Sequence, residues 1–152
     1  MIFDKLCEFA DATAVSTTAP TDDAIIGNVI DTGASPTLKN LGGGEPVYLV
    51  VQLDAAYVAA TTGNVTFKLC SDSVAALTTS KTTHITLPAL TSATGVTGYR
   101  YVAALPSDET YERYLGFWGT NAATTATAGS VTAFLTHTPP PFQYATFLPD
   151  GI

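Results

Sequence analysis

Charge is what this chain has least of. Lys, Arg, Asp and Glu together make up 12% of its 152 residues, against about 25% in an average soluble protein. The bases are scarcer than the acids, 6 against 13, which leaves a formal charge of −7. Lys5, Lys39, Lys68, Lys81, Arg100 and Arg113 stand singly along the chain. Nucleic-acid binding draws on clustered Lys and Arg that displace counterions from phosphate, so no nucleic-acid partner is expected. Long apolar runs are missing too. The densest, Val47 to Val51, falls far short of the roughly 20 residues that a membrane-spanning helix needs. Asp4 and Glu8 stand where a secretory signal would place positive charge and then an apolar core, so none is expected. Cysteine is scarce, and Cys7 and Cys70 lie far apart in the sequence. Without an export signal both are expected to remain reduced thiols.

Recognisable chemistry is equally thin. His84 falls in a predicted strand and His137 at the end of another, with no Cys or His at metal-ligand spacing. No Ser occupies a Gly-x-Ser-x-Gly turn, and no Cys/His/Asn grouping assembles. Gly42-Gly43-Gly44 runs into Glu45-Pro46 and a strand rather than a helix, so it reads as a bend and not a phosphate loop. Asp22-Asp23 and Asp108-Glu109 are the only acidic pairs, too short for a calcium loop. The expectation is a protein without catalytic residues, metal or cofactor, and not an enzyme.

What fills the space is Thr and Ala with short apolar runs. Thr is β-branched and polar, suited to the solvent face of a strand. A weakly charged, Thr-rich surface is easy to desolvate and favours lasting protein contacts; a free soluble β-domain fits the composition equally well. Val65, Phe67 and Leu69 alternate with Thr66, Lys68 and Cys70, a period of two. Thr83 to Leu87 and Tyr99 to Leu105 repeat that pattern. Val47 to Leu53 is apolar on both faces except Gln52, as an inner strand should be. Gly27 to Asp31, Tyr111 to Trp118 and Ser130 to Thr136 complete the set, and residues 54–62 could form one or two helical turns. Seven or eight strands with turns between them predict one all-β domain, a sandwich, barrel or jelly roll. Tyr111 and Phe117 fall on one face of their run and Tyr114 and Trp118 on the other, a division that suits core plus interface better than one flat sugar-stacking surface.

The ends differ from this body. Ile2, Phe3, Leu6, Phe9 and Ala10 fall near helical spacing, with Asp4 as a cap, and predict a short amphipathic turn. Polar, Thr-rich sequence from Ala12 to Asp23 follows as a connector. At the other end Pro139-Pro140-Pro141 favours an extended chain. Beyond it come Phe142, Tyr144, Phe147 and Leu148, of which the aromatics are favoured interface anchors. The organisation expected is an N-terminal arm over 1–24, a body over 25–138 and a Pro-rich tail over 139–152. Either end could fasten to a neighbour or fold back on its own core; the shared character of the two favours neighbours.

In order along the chain stand Phe3-Asp4-x-Leu6, Phe9-Ala10-Asp11-Ala12-Thr13-Ala14-Val15 and Val29-Ile30-Asp31-Thr32-Gly33. Gly44-Glu45-Pro46-Val47-Tyr48-Leu49-Val50-Val51 follows, then Arg113-Tyr114-Leu115-Gly116-Phe117, then Thr127-Ala128-Gly129-Ser130-Val131-Thr132-Ala133-Phe134-Leu135. In these blocks the chain resembles the jelly-roll capsid cement, or decoration, proteins of tailed bacteriophages, of the kind described for a Bordetella podovirus. No block is a functional signature alone; their order and spacing carry the likeness, and the loops at 31–44 and 78–98 have no part in it. The resemblance implies a jelly-roll protein on the outer capsid surface of the virion, made in the host cytoplasm. It implies a dimer bridging subunits of the major capsid protein. On that reading Phe3, Leu6 and Phe9, with Phe142, Tyr144 and Phe147, are the expected contacts to the capsid. A carbohydrate-binding sandwich or a phage tail or receptor-binding subunit is the alternative. The first would expose Tyr114 and Trp118 together. An enzyme would need His84 or His137 to meet a carboxylate in a pocket.

Overall fold

The computed structural model describes residues 5–15, 23–33, 41, 44–60 and 62–139. Nine strands carry the fold: β1 Glu8–Ala14, β2 Asp23–Asp31, β3 Tyr48–Ala59, β4 Asn64–Asp72, β5 Thr82–Thr86, β6 Leu90–Thr91, β7 Arg100–Ala104, β8 Tyr114–Ala122 and β9 Ala126–Thr136. They form two antiparallel sheets, β1-β9-β3-β7 and β2-β8-β4-β5, with the two-residue β6 added beside β4. From β1 to β4 the chain changes sheet at every step, and it does so again from β7 to β8 to β9. That wrapping is a jelly roll, and the all-β sandwich expected from the sequence is what the chain forms.

Alternation builds the core. Val65, Phe67 and Leu69 on β4, Leu115 and Phe117 on β8, and Leu49, Val51 and Leu53 on β3 all turn inward and are buried. Phe117 is central, its ring 5.2 Å from Phe67 and 6.3 Å from Phe9, centroid to centroid. Phe9 belongs to β1, and this changes the picture of the N-terminal arm. A turn of 3-10 helix does form, at Lys5–Cys7, but the chain then enters the sheet as an edge strand beside β9. The boundary drawn at 24 therefore cuts through the body, because Phe9, Ala10 and Val15 complete its core. The physical reason is that β1 carries register shifts against β9, which break the period of two and hide the strand in the sequence.

The helical turns expected over 54–62 are likewise strand. β3 runs on to Ala59 with register shifts after Leu53, Ala55 and Val58, so its small residues lose simple alternation while staying paired to β9. The turn that follows, where Gly63 N–H donates to the Ala60 carbonyl, ends it.

Past Leu69 the alternation also fails, and for another reason. Cys70, Ser71 and Asp72 are all buried, because both faces of β4 are covered there. The outer face lies under the loop 73–81, whose Leu77 joins Trp118 and Cys70 in a second, smaller apolar cluster.

Candidate functional site

One polar cluster sits where β4, β5 and the connection into β8 meet. His84 Nδ1 lies 2.5 Å from Glu109 Oε2, and His84 Nε2 lies 2.7 Å from Ser71 Oγ. The Nδ1 edge of the ring thus faces the Glu109 carboxylate and the Nε2 edge the Ser71 hydroxyl, so the imidazole is held from both sides. The backbone N–H of Glu112 donates to Ser71 Oγ at 3.1 Å, and the Tyr111 ring lies 4.2 Å from the imidazole, centroid to centroid. His84 thus meets a carboxylate, one half of the condition set for an enzyme, and the order Glu109, His84, Ser71 is that of a relay, but His84 lines neither of the two hollows described. Its environment is not that of a nucleophile. Ser71 is 0% exposed, and a serine that attacks a carbonyl has to reach one. The arrangement ties the 106–113 connection to two strands.

Tyr111 belongs to the same brace. Its hydroxyl donates to the Pro106 carbonyl at 2.7 Å, and burial, then the charges of Glu109 and Asp108, push its ionisation up to about 12. No sequence motif announced this cluster. Ser71 and His84 are neighbours only through the β4–β5 register, and Glu109 arrives by way of β7.

A second polar knot holds the loop over the outer face. Asp72 Oδ1 accepts from Val74 N–H and the Ser73 hydroxyl, both at 3.2 Å. Its Oδ2 accepts from Thr79 N–H at 2.9 Å and Ser80 N–H at 3.1 Å. Burial alone would raise the ionisation of this carboxyl; the backbone amides of Ser80, Thr79 and Val74, with the Ser73 hydroxyl, outweigh it and hold it below the ordinary value. Beneath the loop, Trp118 is 7% exposed and Lys81 Nζ stands 3.7 Å over its ring. Tyr114, half-buried, has the Arg113 guanidinium 4.8 Å from its ring centre, and Arg113 is itself paired to Asp31 at 2.8 and 2.7 Å. A sugar platform needs both rings open, and that of Trp118 is covered.

Among the described residues no group of three or more His, Cys, Asp or Glu is placed to hold a metal ion. No helix among them is long and apolar enough to cross a membrane. No disulfide joins Cys7 and Cys70, and burial pushes the Cys70 thiol up.

The expected contact residues separate. Leu6 is 79% exposed, the most open of the large apolar side chains described. Phe9 is fully buried against Phe117 and serves the core, so it has no surface to offer a partner. Phe3, Phe142, Tyr144 and Phe147 lie outside the described residues. Glu8 pairs with Phe134 near the end of β9, so the described chain begins and ends at one end of the sandwich. Beside Leu6, that end holds an apolar hollow of about 190 Å³ between the sheets, walled by Cys7, Ile30, Val47, Leu115 and Leu135.

By fold the chain is a single antiparallel jelly roll whose polar clusters brace loops. By sequence it belongs to the Bbp16 family, a Bordetella phage protein family whose model matches residues 9–135. This makes it a phage protein. No curated protein matches the chain.

Proposed function

We propose that this protein is a capsid cement protein. It binds the outer surface of the icosahedral head as a dimer and bridges neighbouring subunits of the major capsid protein. The observation that carries the reading is the family match over residues 9–135. The surface agrees with it: among the described residues the most open large apolar side chain, Leu6, stands beside the end where the described chain enters the fold. An exposed leucine on a three-residue turn ahead of an edge strand is placed to enter a groove on a partner. With Phe3 it forms the N-terminal anchor. Cement binding stabilises a shell by holding its mature arrangement more tightly than a ruptured one. On this reading no turnover is needed, and the Ser71–His84–Glu109 cluster serves the fold.

The experiment is a mass-resolved copy count in purified virions, with the oligomeric state measured free in solution. Hundreds of copies per particle and a dimer when free are expected. A handful of copies, with a trimer, would give the protein to the tail or receptor-binding apparatus instead.

A further inference from the structure

Among residues 73–80, between β4 and β5, only Leu77 is buried. Few contacts hold this loop down. The Thr82 hydroxyl makes a local bond to the Ser80 carbonyl. Otherwise the hydrogen bonds from these residues to the sheet end on the Asp72 carboxylate, from Ser73 and Val74 at one end and Thr79 and Ser80 at the other. Lys81 closes the far end, over the Trp118 ring and paired to Asp23. The closed loop also carries two unfavourable features. Leu77 holds φ at +50°, a left-handed backbone that a bulky side chain adopts only at a cost. Trp118 Nε1 is buried and finds no hydrogen-bond partner among the described residues. A Cβ on Gly116 would stand 3.0 Å from both Leu77 methyl groups and 3.4 Å from that nitrogen. Leucine and indole N–H therefore meet over the same glycine, an apolar plug against a donor left unpaired.

We infer that residues 73–81 form a flap that opens as a unit while both sheets stay folded, with Asp72 as its latch. Opening returns Leu77 to ordinary backbone geometry and brings water to the Trp118 N–H. Both gains oppose the latch. Against them stand the bonds to one carboxylate, the burial of one leucine and the Lys81 contacts. A segment held by so few contacts belongs among the local openings that precede loss of the whole fold. The core between the sheets is left intact, because Leu77, Cys70 and Trp118 form a cluster apart from it. Under the flap lies the Cys70 thiol, 0% exposed, its Sγ 3.4 Å from the Thr83 hydroxyl. Ile25 and Val29 of β2 pack against the same cluster. The open state thus uncovers a small apolar site, with a thiol and an indole N–H, on the outer face of the five-stranded sheet. Closed, the flap keeps that site from water. This does not depend on the cement reading.

The test reads Cys70 in the full chain. The protein is treated with N-ethylmaleimide at neutral pH, and labelling of Cys70 and Cys7 is resolved by peptide mass spectrometry. The rate at Cys70 is followed as urea is raised to about 1 M, beside hydrogen exchange at the slowest amides of β4 and β8. Exchange through unfolding of the whole domain should rise about tenfold or more over that range, because urea acts in proportion to the surface exposed. Opening of so short a flap exposes little surface, so Cys70 labelling should rise less than about threefold. Asp72→Asn should speed it at least about tenfold, since the latch loses its charged acceptor, and leave Cys7 labelling as it was. Cys70 labelling that climbs as steeply as the amide exchange, or none while those amides exchange, would overturn the inference, because the thiol would then be reached only by losing the fold. Labelling as fast as in the urea-unfolded chain would overturn it too, since the flap would not be closed. An unchanged rate in Asp72→Asn would overturn the assignment of the latch.

Discussion

Two single residues carry disproportionate weight, and both can be tested directly. Gly27 sits at φ +76°, where a Cβ would stand 2.1 Å from the Phe9 carbonyl oxygen. That is where β2 comes up against β1, so the glycine sets how closely the two strands approach. Gly27→Ala should cost about 2 kcal/mol or more in urea unfolding, from strain in the left-handed region plus the displaced strand. A change below about 0.5 kcal/mol would mean that the strands part easily there. Asp72 works through charge. Its native ionisation lies below the ordinary 3.8, so its contribution to stability is present above that value and is lost as pH falls through the lower native one. Asp72→Asn puts an amide NH₂ against backbone donors, which should cost about 2–4 kcal/mol near neutral pH. The variant's stability should also fall less steeply than the parent's as pH drops below the ordinary carboxylate value. Parallel acid curves would show that other carboxylates govern acid unfolding.

At the scale of elements, the loop 73–81 is the part most open to measurement, because Trp118 beneath it is the only tryptophan. Leu77 is seated over Gly116, where a Cβ would come within 3.0 Å of both its methyl groups. Leu77→Ser should loosen the loop, shift Trp118 emission to the red and leave the far-ultraviolet β signal unchanged. An unshifted emission would show that Lys81 alone shields the ring. The brace at His84 has its own readout in the Glu112 amide, which donates to Ser71 Oγ. His84→Ala should speed hydrogen exchange at that amide and lower stability by about 1–3 kcal/mol. These elements also show what a sequence can and cannot reveal. β4, β5, β7 and the start of β8 were legible because one face of each meets the core and the other meets solvent or a loop. β1 and the far half of β3 were not, since register shifts replace alternation by a pattern that resembles a helix. Leu6 and Phe9 looked alike in the sequence, two apolar residues on one supposed turn. Only pairing to β9 separates the one that faces water from the one that stacks on Phe117. The Ser71–His84–Glu109 cluster was illegible for a related reason: its members meet through sheet register and a distant loop, which no local spacing encodes.

For the whole molecule, the question is how a weakly charged domain grips a shell firmly enough to strengthen it. A chain with 6 bases and 13 acids has little long-range attraction to offer, so the proposed grip rests on apolar contact multiplied by valency. Burying one leucine is worth about 1.5–3 kcal/mol, or roughly ten- to a hundredfold in affinity. If a dimer engages two sites at once, the second contact forms at the effective concentration set by the first, and the two factors multiply. Leu6→Asp should therefore weaken capsid binding by roughly a hundredfold or more. Its urea midpoint should stay where it was, since Leu6 is 79% exposed and an open surface residue changes stability little. A protein engaging one site at a time would lose only the single factor, so the size of the loss reports valency as well as contact. The shell supplies the matching readout. Capsids saturated with the parent protein should rupture at a higher temperature than bare ones, because a ligand that prefers the intact state shifts the equilibrium toward it. Those mixed with Leu6→Asp at the same concentration should rupture with the bare shells. Rupture at the parent temperature would place the grip elsewhere on the jelly roll.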